Sequence, residues 1–486
     1  MKSNRKNVRL FLEMSLFAIV LVACNAAVSS GPAGADQGSI VADPIPVDVT
    51  AQKAEAGAGS EEIASAPTVE PTEEAPVAED VTTQDGQSDS PEVNDAGANR
   101  EEEEDSPESG EGSTPENTDD AASDGLDEDG IMTIDDRSER QRQIAQEWNT
   151  DFNRHTIPYE ELLALLPVRD GIIPIDIPTF ETLEEASAWL AENEPVIALE
   201  IDGNSRAYPL QILTWHEIVN DSVGDIPVVV TFCPLCNSAL VFDRRLDGET
   251  YDFGTSGWLR HSDLVMWDRN TESLWQQFTG EGIVGELAGK QLDFLPSSII
   301  SFADFSEAYP DGIVLSRNTG FGRPYGQNPY PGYDRIGEDP FAFIGVPDRR
   351  LAAMERVVTV SLDGVDLAYP LLELLDAGVI NDAQEGQDLV VFHVGGTASA
   401  LDNAVIFRSE DVGATGVFDP NLDGQKLTFI KDGDVIMDEQ SGSTWNIVGQ
   451  AIDGPLAGEQ LAPIVHGDHF WFSWAAFRPD TIIYGS

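Results

Sequence analysis

The chain has 486 residues, with 87 Asp and Glu residues against 27 Lys and Arg residues and a formal net charge of −60 at pH 7. A surface of this charge repels nucleic acids and anionic lipids, so we expect no nucleic-acid partner. The length allows one large or two medium folded domains beside long segments without a core.

Residues 1–23 are typical of a lipoprotein signal peptide. A basic head is followed by an apolar stretch too short to span a bilayer, and the stretch ends in "LVAC" at residues 21–24. This ending resembles a bacterial lipobox, in which Cys24 would be acylated, with palmitate among the acyl chains, and would become the mature N-terminus. The alternative is an ordinary signal peptide with a chance cysteine. We therefore expect an exported protein anchored to the cell envelope by lipid, on the outer face of the membrane or the periplasmic side.

Residues 24–145 are rich in Ala, Gly, Ser, Pro, Thr, Asp and Glu and contain no aromatic residue. Such a segment buries too little apolar surface to offset the entropy lost on folding. It predicts a disordered acidic linker between the lipid and a folded part.

From residue 146 onward aromatic residues recur, which indicates a folded region. Residues 146–195 contain "PYEELLALL" and "TLEEASAWLAEN", which predict a helical lead-in. Residues 196–315 follow with a strand, an Asp-Gly turn, the helix "PLQILTWHEIV", the strand "IPVVVTF" and a hairpin at "LDGET". Residues 316–355, with "RPYGQNPYPGYD", form a Gly- and Pro-rich connector to residues 356–486.

The folded region repeats itself. Residues 202–240 align with 363–401 at a constant offset of 161, so that "DGNSRAYPL" meets "DGVDLAYPL". Further along, "VFDRRLDGETYDF" meets "VFDPNLDGQKLTF" and "GELAGKQL" meets "GPLAGEQL", in the same order. The sequence therefore predicts two tandem related repeats, 196–315 and 356–486, packed into one globular body of β-rich α+β class.

Residues found in one copy only are the better candidates for function, because the fold of the other copy forms without them. The segment "GTSGWLRHSDL", with Arg260 and His261, is longer than its counterpart "IKDGDVI". Where copy one has His216, Cys233 and Cys236, copy two has Ala377, Val394 and Thr397. Loss of these residues by drift in the second copy would leave the same pattern.

Four motifs together closely resemble the DUF3179 family, a group of mostly exported bacterial and archaeal proteins. They are "RAYPLQILTWHEIVND", "TFCPLCNSALVFDR", "SGWLRHSDLVMWDRNTESLWQQFTGEGIVGELAG" and "RPYGQNPYPGYD". The resemblance covers residues 165–486 and implies that His216, Cys233 and Cys236 belong to a shared signature. The family has no established activity, so it implies no mechanism. At position 261 the family usually has asparagine, which argues against a family-wide role for His261.

Three interpretations of Cys-Pro-Leu-Cys stay open. In the first, Cys233 and Cys236 bind a zinc or copper ion with His216 as third ligand, and the open fourth position suits a catalytic centre. Arg260 and His261 would then line the open side as candidate catalytic residues and meet an anionic substrate.

In the second interpretation the pair performs thiol-disulfide exchange, although a hairpin after the motif is unlike the helix of thioredoxin-like proteins. In the third, the cysteines form a structural pair in a non-enzymatic envelope module that binds a partner or supports structure. The sequence leaves open whether the protein is an enzyme and does not identify a protein or small-molecule partner.

Overall fold

Strands make up most of the regular structure in this computed structural model, which describes Leu126 and residues 130–384 and 386–486. The described residues contain 30 strands and six short α-helices, so the β-rich character predicted from the sequence is confirmed. None of these helices has the length and apolar character that crossing a bilayer requires. The signal peptide over 1–23, Cys24 and nearly all of the linker up to residue 129 lie outside the described residues.

Regular structure begins before residue 146, where the linker was predicted to end. Helix α1 (Glu139–Ile144) starts with a capping box, in which Ser138 and Gln141 exchange side-chain and backbone hydrogen bonds. Ile131 and Ala145 are buried. The linker prediction is therefore wrong for residues 131–145. Composition missed this segment because its apolar partners, such as Phe152 and Trp258, come from later in the chain.

The lead-in is only partly helical. A 3-10 turn at Tyr159–Glu161 is followed by strand β1 (Leu162–Ala164), so the helix predicted for "PYEELLALL" is wrong. Leu162 and Leu163 instead lie in β1, which pairs antiparallel with the later strand that contains Trp258 and Arg260. Strand β1 is the edge strand of its sheet. Strand β2 (Phe180–Thr182) then leads into helix α2 (Leu183–Ala186), where a helix was expected.

The first half of the folded region continues with a regular series of elements. In chain order they are β3 (Pro195–Ile201), β4 (Asn204–Pro209), α3 (Leu210–His216), β5 (Ile218–Val223), β6 (Ile226–Cys233), β7 (Ser238–Asp243), β8 (Arg245–Leu246), β9 (Glu249–Thr250), β10 (Phe253–Arg260), β11 (Asp263–Asp268), β12 (Leu274–Gln276), β13 (Gly282–Val284), β14 (Phe294–Leu295), β15 (Ser298–Ser301), α4 (Phe302–Ala308) and β16 (Ile313–Leu315).

The second half of the folded region has a similar series of elements, again given in chain order. Its elements are β17 (Arg356–Leu362), β18 (Val365–Pro370), α5 (Leu371–Ala377), β19 (Val379–Gln384), β20 (Gln387–Val394), a 3-10 turn (Ile406–Arg408), β21 (Ala414–Asp419), β22 (Asn421–Leu422), β23 (Gln425–Lys426), β24 (Phe429–Asp432), β25 (Val435–Asp438), β26 (Thr444–Trp445), β27 (Ala451–Asp453), β28 (Ala462–Pro463), β29 (His466–Phe470), α6 (Trp471–Phe477) and β30 (Ile482–Ile483).

Each half forms three main sheets with matching strand orders. The first half has β15-β3-β4-β16-β2, β14-β7-β6-β5 and β1-β10-β11-β12-β13; the second has β29-β17-β18-β30, β28-β21-β20-β19 and β24-β25-β26-β27. Strand β15 lies against β21 and β29 lies against β7, so each half packs on the other. The two largest apolar cores accordingly contain residues of both halves.

Candidate metal centre

The two cysteines stand where β6 ends and turns toward β7. Cys233 is the last residue of β6, and the N–H of Cys236 donates to its carbonyl oxygen at 3.2 Å. A second bond, from the Asn237 N–H to the Pro234 carbonyl oxygen at 3.3 Å, closes the same turn. Both cysteines are free thiols, and they are only 2% and 0% exposed. The turn therefore places both sulfurs in the protein interior.

The β10–β11 hairpin brings a carboxylate to these sulfurs. At its tip His261 and Ser262 both have positive φ angles, 51° and 73°, and Asp263 begins β11 directly after them. The Ser262 carbonyl oxygen lies 3.8 Å from the Cys233 sulfur. In the second half the equivalent hairpin is shorter, because β24 and β25 have four residues each, whereas β10 has eight and β11 has six.

The Asp263 side chain is buried and only half satisfied. Its Oδ2 accepts hydrogen bonds from the Gln276 amide at 2.6 Å and from the Phe278 N–H at 3.0 Å. Its Oδ1 is buried without a hydrogen-bond partner among the described residues, and the weakly donating thiols of Cys233 and Cys236 interact with the carboxyl group. A buried oxygen in this state indicates a missing partner.

Cys233, Cys236 and Asp263 form one group of possible metal ligands. One atom from each residue, the two sulfurs and a carboxylate oxygen, lies within 4.8 Å of the other two. Atoms bound to one zinc ion at its usual bond lengths lie about 3.3 to 3.8 Å apart, so small side-chain rotations would bring all three onto one ion.

Burial dominates the protonation of this cluster. It raises the pKa of Asp263 to about 7, against the lowering effect of the hydrogen bonds from Gln276 and Phe278. Burial likewise raises the pKa of both thiols, and the neighbouring Asp263 carboxylate adds to that rise. Without a cation the two thiols are therefore protonated near neutral pH, and Asp263 titrates in that range.

His216, predicted as the third ligand, is not part of this group. Its Nδ1 hydrogen-bonds the Ile173 carbonyl oxygen at 2.6 Å, and its Nε2 hydrogen-bonds the Tyr325 hydroxyl at 2.7 Å. Burial lowers the pKa of His216 to about 4. Both ring nitrogens thus fasten α3 to the lead-in and to the connector, and Asp263 is the third group beside the sulfurs.

Arg260 and His261, predicted to line the open side, both contact Glu161. The Arg260 guanidinium pairs with the Glu161 carboxylate at 2.7 Å, and His261 Nε2 lies 3.5 Å from the same carboxylate. The His261 ring also contacts Phe343 and Phe477. The Glu161 carboxylate therefore already neutralises the charge of Arg260, which lies at the end of β10.

The site predicted from the sequence included neither Asp263 nor Glu217. Asp263 follows Cys236 by 27 residues, so no ligand spacing points to it; the only signal is its place in the segment that is longer in copy one. Glu217 is buried, and burial together with the nearby Asp263 carboxylate raises its pKa to about 8.

The cluster as a whole is a set of buried acids. Thiols with a raised pKa are poor nucleophiles, so the arrangement does not activate either cysteine for exchange chemistry. A bound divalent cation would reverse this, because it favours the thiolate and carboxylate forms that ligate it. Two sulfurs and one oxygen can hold such an ion and leave one position open.

The fold and this site define a β-rich protein of two similar halves with a buried Cys-Cys-Asp cluster in the first half. A family model described as "Protein of unknown function (DUF3179)" matches residues 169–481, which include all three cluster residues. The chain belongs to this family, as the motifs predicted. No curated protein and no solved structure matches the chain.

Proposed function

We propose that this protein is an exported lipoprotein whose first half binds a transition metal ion through the sulfurs of Cys233 and Cys236 and a carboxylate oxygen of Asp263. The observation that carries the proposal is the buried Asp263 carboxylate, which has one oxygen within 4.8 Å of both buried sulfurs and whose Oδ1 has no hydrogen-bond partner among the described residues. A set of two thiolates and one carboxylate suits zinc, with copper as the alternative.

Three protein ligands are the number that catalytic zinc sites keep, with water in the fourth position. Structural zinc sites use four, and the described residues offer three within mutual reach. An open position therefore favours a centre that binds a further ligand over one that only supports the fold.

The metal content of the purified full chain tests this proposal. We expect about one zinc or copper ion per chain by elemental analysis, and at least a tenfold weaker affinity in Cys233→Ser, Cys236→Ser and Asp263→Asn, because each change removes one ligand. His216→Ala should keep its metal, which separates this ligand set from the one predicted from the sequence.

Asp438→Asn is the matched control, because Asp438 is a buried aspartate of the second half that is fully hydrogen-bonded within its own hairpin. A wild-type chain that binds no metal, even after incubation with zinc or copper salts, contradicts the proposal. Two inert thiols would then favour the structural or binding module, and a reversibly formed disulfide would favour redox exchange.

The proposal includes acylation of Cys24 and anchoring on the outer or periplasmic side of a membrane, supported by the "LVAC" sequence and the basic head before it. Metabolic labelling with palmitate should mark the wild-type chain and move it to the membrane fraction. Cys24→Ala should lose both the label and the membrane association, whereas Cys236→Ser should keep both. Equal labelling of Cys24→Ala and wild type would refute the anchor.

We infer that the two halves arose by duplication of one unit. The constant sequence offset and the matching strand orders support this inference. If the halves are copies, the second half is an internal reference for the first, and a feature of the first half that strains the fold is a candidate for function.

A further inference from the structure

The connector between the two halves is long and irregular. Strand β16 ends at Leu315 and β17 begins at Arg356, and the structure describes all of residues 316–355 without a helix or strand among them. Irregular segments of this length are uncommon inside a compact fold, and where they occur they usually form lids or binding loops. The connector is therefore a candidate for a moving part.

The connector covers the cysteine turn. Its aromatic side chains pack against the apolar core that contains Cys233 and Cys236, among them Tyr333, Phe341 and Phe343. Burial raises the pKa of Tyr333, against the lowering effect of a hydrogen bond from the Phe341 N–H, and both thiols add to the rise. The Tyr333 hydroxyl is thus near enough to interact with both sulfurs, and the connector closes one side of the Cys-Cys-Asp cluster.

A single residue lies between the connector and a sulfur atom. The Ser262 hydroxyl donates a hydrogen bond to the Phe341 carbonyl oxygen, and the Ser262 carbonyl oxygen lies 3.8 Å from the Cys233 sulfur. Beside this bond the Phe343 ring contacts the His261 ring, with 5.6 Å between the ring centroids. The hairpin tip, His261 and Ser262, is therefore the place where the connector is fastened over the cluster.

Both ends of this part of the connector are held by the second half. At one end the Gly332 N–H donates to the Leu401 carbonyl oxygen at 2.9 Å, and at the other the Arg350 guanidinium donates to the Thr481 carbonyl oxygen at 2.8 Å. Residues 335–347, which we call the lid, run between these ends and reach the hairpin tip in the middle. An irregular segment with two fixed ends can move between them while both halves stay folded.

The contacts that hold the lid in place are weak. The structure describes every lid residue, and none is buried. Ile336, Ile344 and Val346 are 65%, 40% and 74% exposed, so they add little apolar contact. Ala342, between the two phenylalanines at the tip, has a φ angle of 57°, which is unfavourable for a residue with a side chain. The contacts at the tip maintain this strain, and their release would relieve it.

Resting on the metal centre proposed above, we propose that the lid controls access to the Cys-Cys-Asp cluster. The structure corresponds to the closed state, in which the two cysteines are only 2% and 0% exposed. In the open state Phe341 and Phe343 leave the hairpin tip, and a transition metal ion reaches the sulfurs through the gap. The lid then closes again over the occupied cluster.

The reaction of the cysteines with methyl methanethiosulfonate measures lid opening in the metal-free full chain. Cys24→Ala leaves Cys233 and Cys236 as the remaining thiols. Their reaction rate follows the fraction of open lid when opening is fast compared with the reaction. We expect Ser262→Ala to raise the rate about three- to tenfold, because it removes one hydrogen bond that holds the lid closed. Ala342→Gly should lower the rate about two- to fivefold, because glycine relieves the strain of the closed state.

Thr179→Val is the matched control, because the Thr179 hydroxyl donates to the Asn318 carbonyl oxygen, in the connector but outside the lid. Its rate should equal that of the parent chain. Equal rates in Ser262→Ala and Thr179→Val would overturn the lid, as would a parent chain whose thiols react as fast as they do in urea. A faster rate in Ser262→Ala that follows a lower thermal midpoint would show global unfolding and would overturn the lid as well.

The outcomes separate this inference from the proposed function. If the variants change the thiol reaction rate in the expected directions but the chain binds no metal, the lid stands over two inert thiols and the metal centre is refuted. If the chain binds metal and the thiol reaction rates do not respond to the variants, the centre stands and the lid is refuted.

Discussion

At the scale of single residues, the first half concentrates four buried acids around one point without a paired cation. The Cys233 and Cys236 thiols and the Asp263 and Glu217 carboxyl groups each have a raised pKa, mainly through burial. The basic side chains nearest in sequence to Asp263 are Arg260 and His261, and both contact Glu161 instead. The divalent cation proposed above would supply the positive charge that no described residue brings to these groups.

The pH dependence of stability in the metal-free chain reports on these acids. Asp263 and Glu217 have folded-state pKa values of about 7 and 8, above those of free carboxyl groups near 4. Between about pH 4 and pH 8 the unfolded chain releases these protons and the folded chain keeps them. Stability therefore falls as pH rises through this window, by up to about 1.4 kcal/mol per pH unit for each group.

Urea denaturation of the metal-free chain at pH 5 and pH 8 checks this dependence. Other groups titrate in the same range, including His216, whose lowered pKa has the opposite effect. Comparison with Asp263→Asn isolates the aspartate: the loss of stability from pH 5 to pH 8 should be smaller in this variant. Zinc should recover stability at pH 8 in the wild type only. An equal loss in both chains would show that Asp263 ionises freely.

At the scale of elements, local turn chemistry was predictable from the sequence. Asp247 and Gly248 both have positive φ angles and connect β8 to β9, as the Asp-Gly pair predicts. Trp275 of the first half and Trp445 of the second are both buried. Trp275 donates to Asp268 at 2.9 Å, and Trp445 donates to Asp438 at 3.1 Å.

The candidate ligand set was less predictable, because it depends on the backbone conformation at the end of helix α3 and on the length of the β10–β11 hairpin. Neighbouring side chains on a helix diverge, so only one of His216 and Glu217 faces the cluster. Which one does so depends on the left-handed turn at Glu217 and on packing with the connector through Tyr325. Asp263 reaches the cysteines through the length of the β10–β11 hairpin, which no local spacing reveals.

At the scale of the whole molecule, each half depends on contacts that a single unit would lack. The Phe470 N–H of the second half donates to the Cys236 carbonyl oxygen, and the Asn237 amide of the first half donates to the Asp468 carbonyl oxygen at 2.9 Å. The second half thus supports the cysteine turn from outside. These contacts between the halves depend on packing that has no signature in the sequence of either half alone.

The N-terminal boundary of the folded part also belongs to this scale, and it yields a prediction. A chain beginning at Gly130 should be as stable as the full chain, because it keeps Ile131, α1 and their contacts. A chain beginning at Gln146 loses the buried Ile131 side chain and both hydrogen bonds from the Gln141 amide to the carbonyl oxygens of Tyr159 and Leu162. We expect its free energy of unfolding to be lower by about 3 to 5 kcal/mol.

Urea denaturation of the two shortened chains measures this difference, and metal analysis of both provides the control. Residues 131–145 pack on the sheet that contains β10, beside β1, and none of them belongs to the Cys-Cys-Asp group. Both chains should therefore bind the same amount of metal while they differ in stability. Equal stability would place residues 131–145 outside the cooperative fold, and a loss of metal only in the shorter chain would show that the hairpin needs this segment to hold Asp263 in place.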